Sequence, residues 1–278
     1  MIIYAVVAVH NRWTFTEQFL RSLDAQQLPP GTTTRVIVVD DGSTDETGRN
    51  LRERPDVSVL PGDGTLWWSG SIDLALSRIR DILQRGDFVY LGNNDTVLDQ
   101  GHLAALLRVA QESGCDLVGS VSYEIWPTGE HHPVTGAFRI NEQELDVVNI
   151  PPEEIGQARV DALAGRGLLL SARAAHAIAF QPKAMPQHFA DLAATSRLVK
   201  TGYRPCVSLD AISTQLERAG SSVEFKPSLA QLLNPKSPLY IPALVTFWAT
   251  TSNRKLLLLW RIPARAARQV SRGSYRVR

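Results

Sequence analysis

Short apolar runs alternate with amphipathic segments along the first half of the chain. Residues 2–9 and 35–40 are almost continuously apolar and rich in Val and Ile, which is typical of strands buried on both faces of a parallel sheet. Between them, residues 14–27 repeat apolar side chains at helical spacing, with Thr14 as a candidate N-cap. The alternation continues, and we predict helices over 45–53, 69–84 and 101–113 and strands over 57–60, 87–92 and 116–122. This β-α-β order predicts an α/β fold, in which helices flank a mostly parallel, doubly wound central sheet.

The second half is less regular. Residues 123–160 show no sustained period and predict loops with one or two short antiparallel strands. An apolar strand over 160–170 is interrupted at Gly165-Arg166-Gly167, and we expect helices over 172–180 and 190–201 and a short strand over 204–209. Prolines accumulate near residues 220–238. We therefore predict two domains, 1–222 and a C-terminal helical, basic extension over 223–278.

Polar residues directly follow three of the predicted strands. His10-Asn11-Arg12 follows the first strand, Asp40-Asp41 ends the second, and Asn93-Asn94-Asp95 follows strand 87–92. In open α/β sheets, ligands bind just beyond the carboxyl ends of the strands. We therefore expect one polar site for a charged ligand together with a metal.

Each of these motifs also has a purely structural interpretation. Asp41 could accept the imide N–H of uracil or thymine, with His10 stacking on the base, but Asp-Gly-Ser is also ordinary turn chemistry. Asp95 could hold a divalent cation on a diphosphate, or belong to a turn. Asp191 could be a general base, or only a favourable partner of a helix dipole.

A glycine-rich loop carries two adjacent tryptophans, Trp67 and Trp68. Small residues before a helix let main-chain N–H groups approach an anion, although the loop is neither a Walker loop nor a Gly-x-Gly-x-x-Gly fingerprint. We expect at least one tryptophan to face a ligand or the sheet core, and core packing is favoured for one of the two. Asp73, predicted on the first turn of the next helix, either faces the site or complements the helix dipole.

Composition is that of a globular domain, with 44% hydrophobic and 21% charged residues among 278. The only cysteines, Cys115 and Cys206, are far apart in sequence. We take them to exclude a disulfide framework and to fit a reducing compartment. No signal peptide or membrane-spanning run is recognised. We therefore expect a cytoplasmic protein.

The net charge of +1 hides an asymmetry. Glu224 is the last acidic residue and ten basic residues follow it, so residues 1–224 carry a net charge of −9. Trp248 and Trp260 accompany this basic tail, which predicts a peripheral contact with the inner face of the membrane. The alternative is a helix pair that packs on the body or on a second copy in a homodimer. No nucleic-acid module is recognised.

The order of these motifs resembles family 2 glycosyltransferases, the inverting GT-A type with a Rossmann-like sheet, over residues 2–222. Within that family, the tryptophan loop followed by a helix resembles bacterial surface-polysaccharide and rhamnosyltransferase-like members. The resemblance implies that Asp191 is the catalytic base, that Asp95 binds Mg²⁺ or Mn²⁺, and that the donor contacts Ala8, His10, Arg12, Asp40, Asp41, Trp67, Trp68, Asp73, Asn94, Gly165 and Arg166.

The resemblance further implies transfer of a sugar from a UDP- or dTDP-sugar to a hydroxyl of a glycan or lipid-linked acceptor. The chain departs from the family pattern at three places, with one Asp in the metal motif, Ala190 in place of a Glu, and Gln215 near the place of a His. A non-catalytic nucleotide-sugar-binding protein of the same fold is the alternative. A sugar-1-phosphate nucleotidyltransferase is disfavoured, because no Gly-rich basic loop follows the first strand.

Overall fold

The computed structural model describes residues 1–126, 129–218 and 229–252. The strands are β1 (Ile2–Val9), β2 (Thr33–Asp40), β3 (Val57–Pro61), β4 (Phe88–Asn93), β5 (Thr96–Leu98), β6 (Leu117–Ile125), β7 (His131–Thr135), β8 (Ala137–Asn141), β9 (Asp146–Asn149), β10 (Ala162–Leu163), β11 (Leu168–Ser171) and β12 (Pro205–Arg218). The α-helices are α1 (Trp13–Asp24), α2 (Thr47–Arg52), α3 (Trp67–Ile79), α4 (His102–Ser113), α5 (Ala172–Ala177), α6 (Ala190–Lys200) and α7 (Ile241–Thr251), and 3-10 turns cover Pro152–Glu154 and Leu229–Leu233.

A nine-stranded sheet forms the centre of the molecule, in the order β3-β2-β1-β4-β11-β6-β12-β5, with β7 paired to β6. β1 to β4, β6 and β12 run in one direction, whereas β5, β7 and β11 run against them. The predicted α/β fold with a mostly parallel sheet is therefore confirmed. The carboxyl ends of the six strands that share a direction meet at one edge, which we call the site edge.

Apolar side chains cover both faces of this sheet. Alternate residues of a strand point to opposite faces. Tyr4 of β1 accordingly belongs to one apolar cluster, with Ile72 of α3, while Ile3 belongs to the other, with Phe19 of α1. Burying a large apolar side chain stabilises the fold by about 1.5–3 kcal/mol, so helices on both faces hold the sheet in place. This is why β1 is apolar throughout.

Two predictions about the second half were wrong and one was confirmed. Residues 123–160 form three strands rather than one or two, and β8 and β9 belong with β10 to a separate antiparallel sheet. The predicted interruption of the apolar run over 160–170 is confirmed, since the turn at 164–167 separates β10 from β11, which belong to different sheets. The strand predicted over 204–209 is longer, since β12 pairs with both β6 and β5.

β12 contains a bulge against β6. Val207 pairs with Gly119 and Ile212 pairs with Val121, so β12 carries three more residues than β6 between these two pairs. Extra residues of this kind bend a strand and increase its local twist. The pairing resumes beyond the bulge, where Ser213 and Thr214 pair with Ser122 and Tyr123.

The prediction about the cysteines was also wrong. Cys115 and Cys206 form a disulfide across 91 residues of sequence. Cys115 lies just before β6, and Cys206 lies on β12, which pairs with β6. Sequence separation does not predict spatial separation when the two strands are neighbours, so the cysteine pattern no longer supports a reducing compartment.

Two helix starts differ from the sequence-based expectation. Thr14 is not the N-cap of α1, because the cap position is Arg12 in the left-handed region, with no side-chain cap. α3 begins at Trp67 and not at residue 69, so Asp73 lies in its second turn.

The end of the described chain packs on the body. Phe247 and Trp248 of α7 are buried, and the Phe247 ring lies 5.2 Å from that of Phe189. Trp248 is therefore a core residue and not a free membrane anchor. Trp260 and the arginine-rich end lie outside the described residues. Within the described ranges, no helix has the length and apolar character needed to cross a membrane.

Candidate active site

The carboxylate of Asp41 organises the loop that opens α3. Its Oδ1 accepts hydrogen bonds from the main-chain N–H groups of Gly64 (2.8 Å) and Leu66 (3.3 Å), and its Oδ2 accepts one from Trp67 (2.8 Å). Asp41 is only 5% exposed. A Cβ at Gly62 would lie 2.5 Å from Oδ1, so only glycine lets the loop pass this close. Asp41 therefore fixes the loop main chain at the site edge.

The turn after β1 is fastened to the same strand end. The Nδ1 of His10 donates to the carbonyl oxygen of Asp41 over 2.6 Å. The side-chain carbonyl of Asn11 accepts from the N–H groups of Thr44 (2.8 Å) and Asp45 (3.2 Å). These bonds hold the ends of β1 and β2 together.

Three other residues that the resemblance places in contact with the donor substrate lie at or near these strand ends. Arg12 adopts the left-handed conformation, and its guanidinium lies 5.9 Å from the centre of the Phe15 ring. The Oδ1 of Asp40 accepts from the N–H of Ser43 over 3.1 Å. Ala8 pairs with Asn93 of β4. Ala8 and Asp40 thus lie at the ends of their strands, and Arg12 lies in the turn after β1.

The adjacent tryptophans have different surroundings. Trp67 has φ +56°, a left-handed value that is uncommon for a residue other than glycine, and the Nζ of Lys236 lies 5.3 Å from its ring centre. The indole N–H of Trp68 donates to the Oδ1 of Asn93 over 3.2 Å, and its ring packs edge-on against Phe180. Trp68 joins α3 to the end of β4, whereas Trp67 faces the segment that precedes α7.

Gly165 lies between Asp191 and Trp68 and contacts both. The N–H of Gly165 donates to Asp191 Oδ2, and the N–H of Leu192 donates to Oδ1, both over 2.8 Å. A Cβ at Gly165 would lie 2.4 Å from the indole of Trp68. Glycine is thus required where the Trp68 ring, the 164–167 turn and the start of α6 meet.

Burial raises the pKa of Asp191 above the ordinary value for aspartate, although its hydrogen bonds with Gly165 and Leu192 and the nearby His188 act in the opposite direction. Each carboxylate oxygen can accept more than one hydrogen bond, so Asp191 keeps acceptor capacity for an incoming hydroxyl. Burial lowers the pKa of His188, whose Nε2 donates to the carbonyl oxygen of Lys236 over 3.0 Å. Asp191 has the chemistry of a general base.

Asp95 lies in the turn between β4 and β5, and its carbonyl oxygen accepts from the N–H of Leu216 on β12 over 2.7 Å. The described residues contain no group of three or more His, Cys, Asp or Glu that could hold a metal ion. Asn94 donates to the hydroxyl of Thr16, and the Oδ1 of Asn93 is used by Trp68. In the described turn between β4 and β5, Asp95 supplies the one carboxylate, which fits a metal held mainly by a diphosphate.

Arg166 is bound between two strands. Its guanidinium donates to Glu124 of β6 over 2.6 Å and to Gln215 of β12 over 2.9 Å. The charge of Arg166 is thus balanced by Glu124. Because Gln215 pairs with Thr96, next to Asp95, this ion pair lies close to the turn that carries the candidate metal ligand.

Contacts join five of the predicted residues, Asp41, Trp67, Trp68, Gly165 and Asp191, into one ring. Asp41 holds Trp67, Trp68 contacts Asn93 and Gly165, Gly165 binds Asp191, and the neighbouring His188 binds Lys236, which returns to Trp67. Asp73 is half-buried within α3 and is not a member of this ring. Sequence reasoning missed Lys236, His188 and Glu124. Lys236 and Glu124 stand in no motif, and His188 could have been suspected only from its closeness to Asp191.

The family model for glycosyl transferase family 2 matches residues 4–154, more than half of the chain. That match includes most of β1, both aspartates near the end of β2, the tryptophan loop and Asp95. The chain belongs to glycosyl transferase family 2 and is a glycosyltransferase. No curated protein sequence matches it.

Solved structures of glycosyltransferases share the fold at low sequence identity. The mannosyltransferase PcManGT from Pyrobaculum calidifontis, in complex with GDP-Man and Mn²⁺, superposes with a TM-score of 0.57 at 16% identity, over 98% of this chain and 76% of that one. S. aureus TarS 1-349 gives 0.61 at 16%, over 99% and 93%. GalNAc-T7 with UDP, GalNAc and Mn²⁺ gives 0.67 at 12%, over 90% of this chain but 48% of that one. The chain thus spans about half of GalNAc-T7.

Proposed function

We propose that the protein is an inverting glycosyltransferase that moves a sugar from a nucleoside diphosphate donor to a hydroxyl of a glycan or lipid-linked acceptor, in bacterial surface polysaccharide synthesis. The observation that carries the proposal is the contact between Asp191, Gly165 and Trp68. It joins a carboxylate of raised pKa to the loop whose main chain Asp41 holds at the site edge.

The donor in this proposal is a UDP- or dTDP-sugar, bound across the ends of β1, β2 and β4. Asp41 Oδ2 accepts one hydrogen bond from the described main chain, which leaves acceptor capacity for the imide N–H of a pyrimidine. His10 lies against the same strand end, at the base-binding position. The fold relatives support a nucleotide-sugar donor, since one holds GDP-Man and a second structure of TarS holds UDP-GlcNAc.

In the reaction, Asp191 takes the proton of the attacking hydroxyl, the hydroxyl oxygen bonds to the anomeric carbon from the opposite face, and the nucleoside diphosphate leaves with inversion. Gly165 and Leu192 orient the Asp191 carboxylate through their N–H groups. A divalent metal, Mg²⁺ or Mn²⁺, would be held by Asp95 and would stabilise negative charge on the leaving diphosphate. Two of the relatives that share the fold contain Mn²⁺.

A peripheral membrane contact would bring the enzyme to a lipid-linked acceptor. Support comes from the ten basic residues beyond Glu224, because clustered Lys and Arg are attracted to anionic lipid. Eight of these ten lie beyond residue 252, outside the described ranges.

The proposal is tested by thermal stabilisation and by product analysis. A ligand that binds the folded state raises its melting temperature, so we expect a shift with UDP or dTDP in the presence of Mn²⁺ or Mg²⁺. Transfer or hydrolysis of the matching nucleotide sugar should release a product of inverted anomeric configuration, read by NMR. Absence of any shift from folded protein, or retention of configuration, contradicts the proposal.

A further inference from the structure

We propose that Lys236, which lies shortly before α7, binds the diphosphate of the donor as a cation at the site edge. The inference rests on the proposed function, since it names a contact within the same donor site. Lys236 is far from the motifs at the strand ends, and nothing in its local sequence distinguishes it.

The main chain around Lys236 is fixed while its side chain reaches solvent. The N–H of Lys236 donates to the Oδ1 of Asn234 over 2.9 Å, and its carbonyl oxygen accepts from His188. The next residues along the chain, Ser237 and Leu239, are 3% and 1% exposed. Lys236 itself is exposed. The main chain of Lys236 is therefore held in place, and its ammonium is accessible to a ligand.

Lys236 bridges the two segments that flank the donor site. Its Nζ lies 5.3 Å from the Trp67 ring centre, and its carbonyl oxygen binds His188, three residues before Asp191. One segment is the loop held by the Asp41 carboxylate, and the other carries the candidate base. In the proposed reaction, the diphosphate of the bound donor would lie between these two segments.

The ammonium of Lys236 differs from the guanidinium of Arg166, the cation beside the Asp95 turn. Arg166 is paired with Glu124 at 2.6 Å. In the described part of the chain, Lys236 makes no ion pair with a carboxylate, and its charge rests on an aromatic face. A cation–π contact at an exposed site is weak, whereas a contact with phosphate is charge-assisted and stronger. The ammonium can therefore exchange Trp67 for a phosphate oxygen.

The charges around the donor site call for such a group. Asp40, Asp41, Asp95 and Asp191 all lie at this edge, and a diphosphate adds further negative charge. Asp95 is a single carboxylate, so a divalent cation at this edge would be held largely by the donor diphosphate itself. A lysine at the diphosphate would neutralise part of its negative charge, a role that a metal site with more carboxylate ligands could fill by itself.

The test compares Lys236→Met with Lys236→Arg and with the matched control Lys183→Met, which removes another exposed lysine. Dissociation constants for UDP, dTDP and uridine are measured by calorimetry, with Mn²⁺ and with chelator, and each variant's melting temperature shows that it is folded. We expect Lys236→Met to weaken the preferred diphosphate about tenfold, and more strongly with chelator. Uridine affinity, Lys236→Arg and Lys183→Met should stay within about twofold of wild type.

The outcomes separate this inference from the proposed function. Wild-type affinity for the diphosphate in folded Lys236→Met overturns the role of Lys236 and leaves the proposed function intact. Equal weakening of uridine and diphosphate also overturns it, because that pattern reports a structural role. No binding of either diphosphate to wild-type protein overturns the donor site itself, and the inference with it.

Discussion

The main-chain N–H of Gly165 binds Oδ2 of Asp191 over 2.8 Å, and no larger residue fits in its place. The same glycine is the point at which the Trp68 indole meets the 164–167 turn. Gly165 therefore determines three features: the orientation of the Asp191 carboxylate, the position of the tryptophan loop and the path of the chain into β11. A proton acceptor that must meet a hydroxyl within hydrogen-bonding distance benefits from such fixation.

Replacement of Asp191 by Asn should remove the base while keeping its shape. We expect transfer to fall by about 10²- to 10⁴-fold, the usual contribution of general-base catalysis, with the nucleoside diphosphate affinity nearly unchanged. Initial rates of transfer and calorimetric titration with UDP or dTDP measure the two quantities. Asp81→Asn, at an exposed surface position, is the control. Unchanged turnover in Asp191→Asn would remove this residue from the mechanism.

Replacement of Gly165 by Ala should displace Trp68, because the added Cβ would lie 2.4 Å from its ring. We expect reduced transfer and a changed near-ultraviolet circular dichroism spectrum, since the indole leaves its contact with Phe180. Gly101→Ala is a matched control, with no heavy atom within 4 Å of the added Cβ. Equal activity of both variants would contradict the packing of Trp68 against the turn.

Replacement of Asp41 by Asn should loosen the loop before α3. The amide is uncharged and accepts at only one of its two positions, so all three loop N–H groups lose a charged acceptor and at least one loses its acceptor altogether. A hydrogen bond to a charged group contributes about 1.5–3 kcal/mol, and we expect the free energy of unfolding to fall by a similar amount. Chemical denaturation measures it. Asp210→Asn, at an exposed position, should change stability far less.

His102 should make the fold sensitive to acid. It is fully buried between the Tyr90 hydroxyl and the Ile212 carbonyl oxygen, and burial lowers its pKa from 6.5 to about 4. Between these values the unfolded chain binds the proton and the folded protein does not, so the free energy of unfolding falls as the pH decreases from 6.5 towards 4. The full effect is on the order of 3 kcal/mol at about 1.4 kcal/mol per pKa unit.

Denaturation curves at several pH values measure this dependence. The slope that belongs to His102 should be absent in His102→Asn and retained in the control His176→Asn, in which an exposed histidine is removed. A pH dependence shared by wild type and His102→Asn would assign the acid sensitivity to other groups.

The sequence was informative where local chemistry and fold agree. The apolar runs predicted β1, β2 and β4 closely, because strands buried on both faces leave little freedom in residue type. Asp41 and Asp191 could be selected as candidates, because each follows or opens a regular element. The order of the motifs then pointed to the family that the match over residues 4–154 confirms.

Other features depend on contacts between distant segments and leave no local pattern. Cys115 and Cys206 come together only because β6 and β12 are neighbours. Glu124 is part of the site only because the fold brings Arg166 of a distant segment within hydrogen-bonding distance of it. Lys236 lies in a proline-rich stretch that predicts a linker, although its carbonyl oxygen and side chain contact two different parts of the site.

The bulge in β12 acts as a spacer for the site edge. A strand advances about 3.3 Å per residue and its side chains alternate between the two faces. The three additional residues between Val207 and Ile212 therefore determine the position of Gln215 along the strand and the face on which its side chain contacts Arg166. Loss of one residue there would invert the facing of every later position on the strand. The length of this segment, more than its composition, therefore keeps the end of β12 in register with β5 and with the turn that carries Asp95.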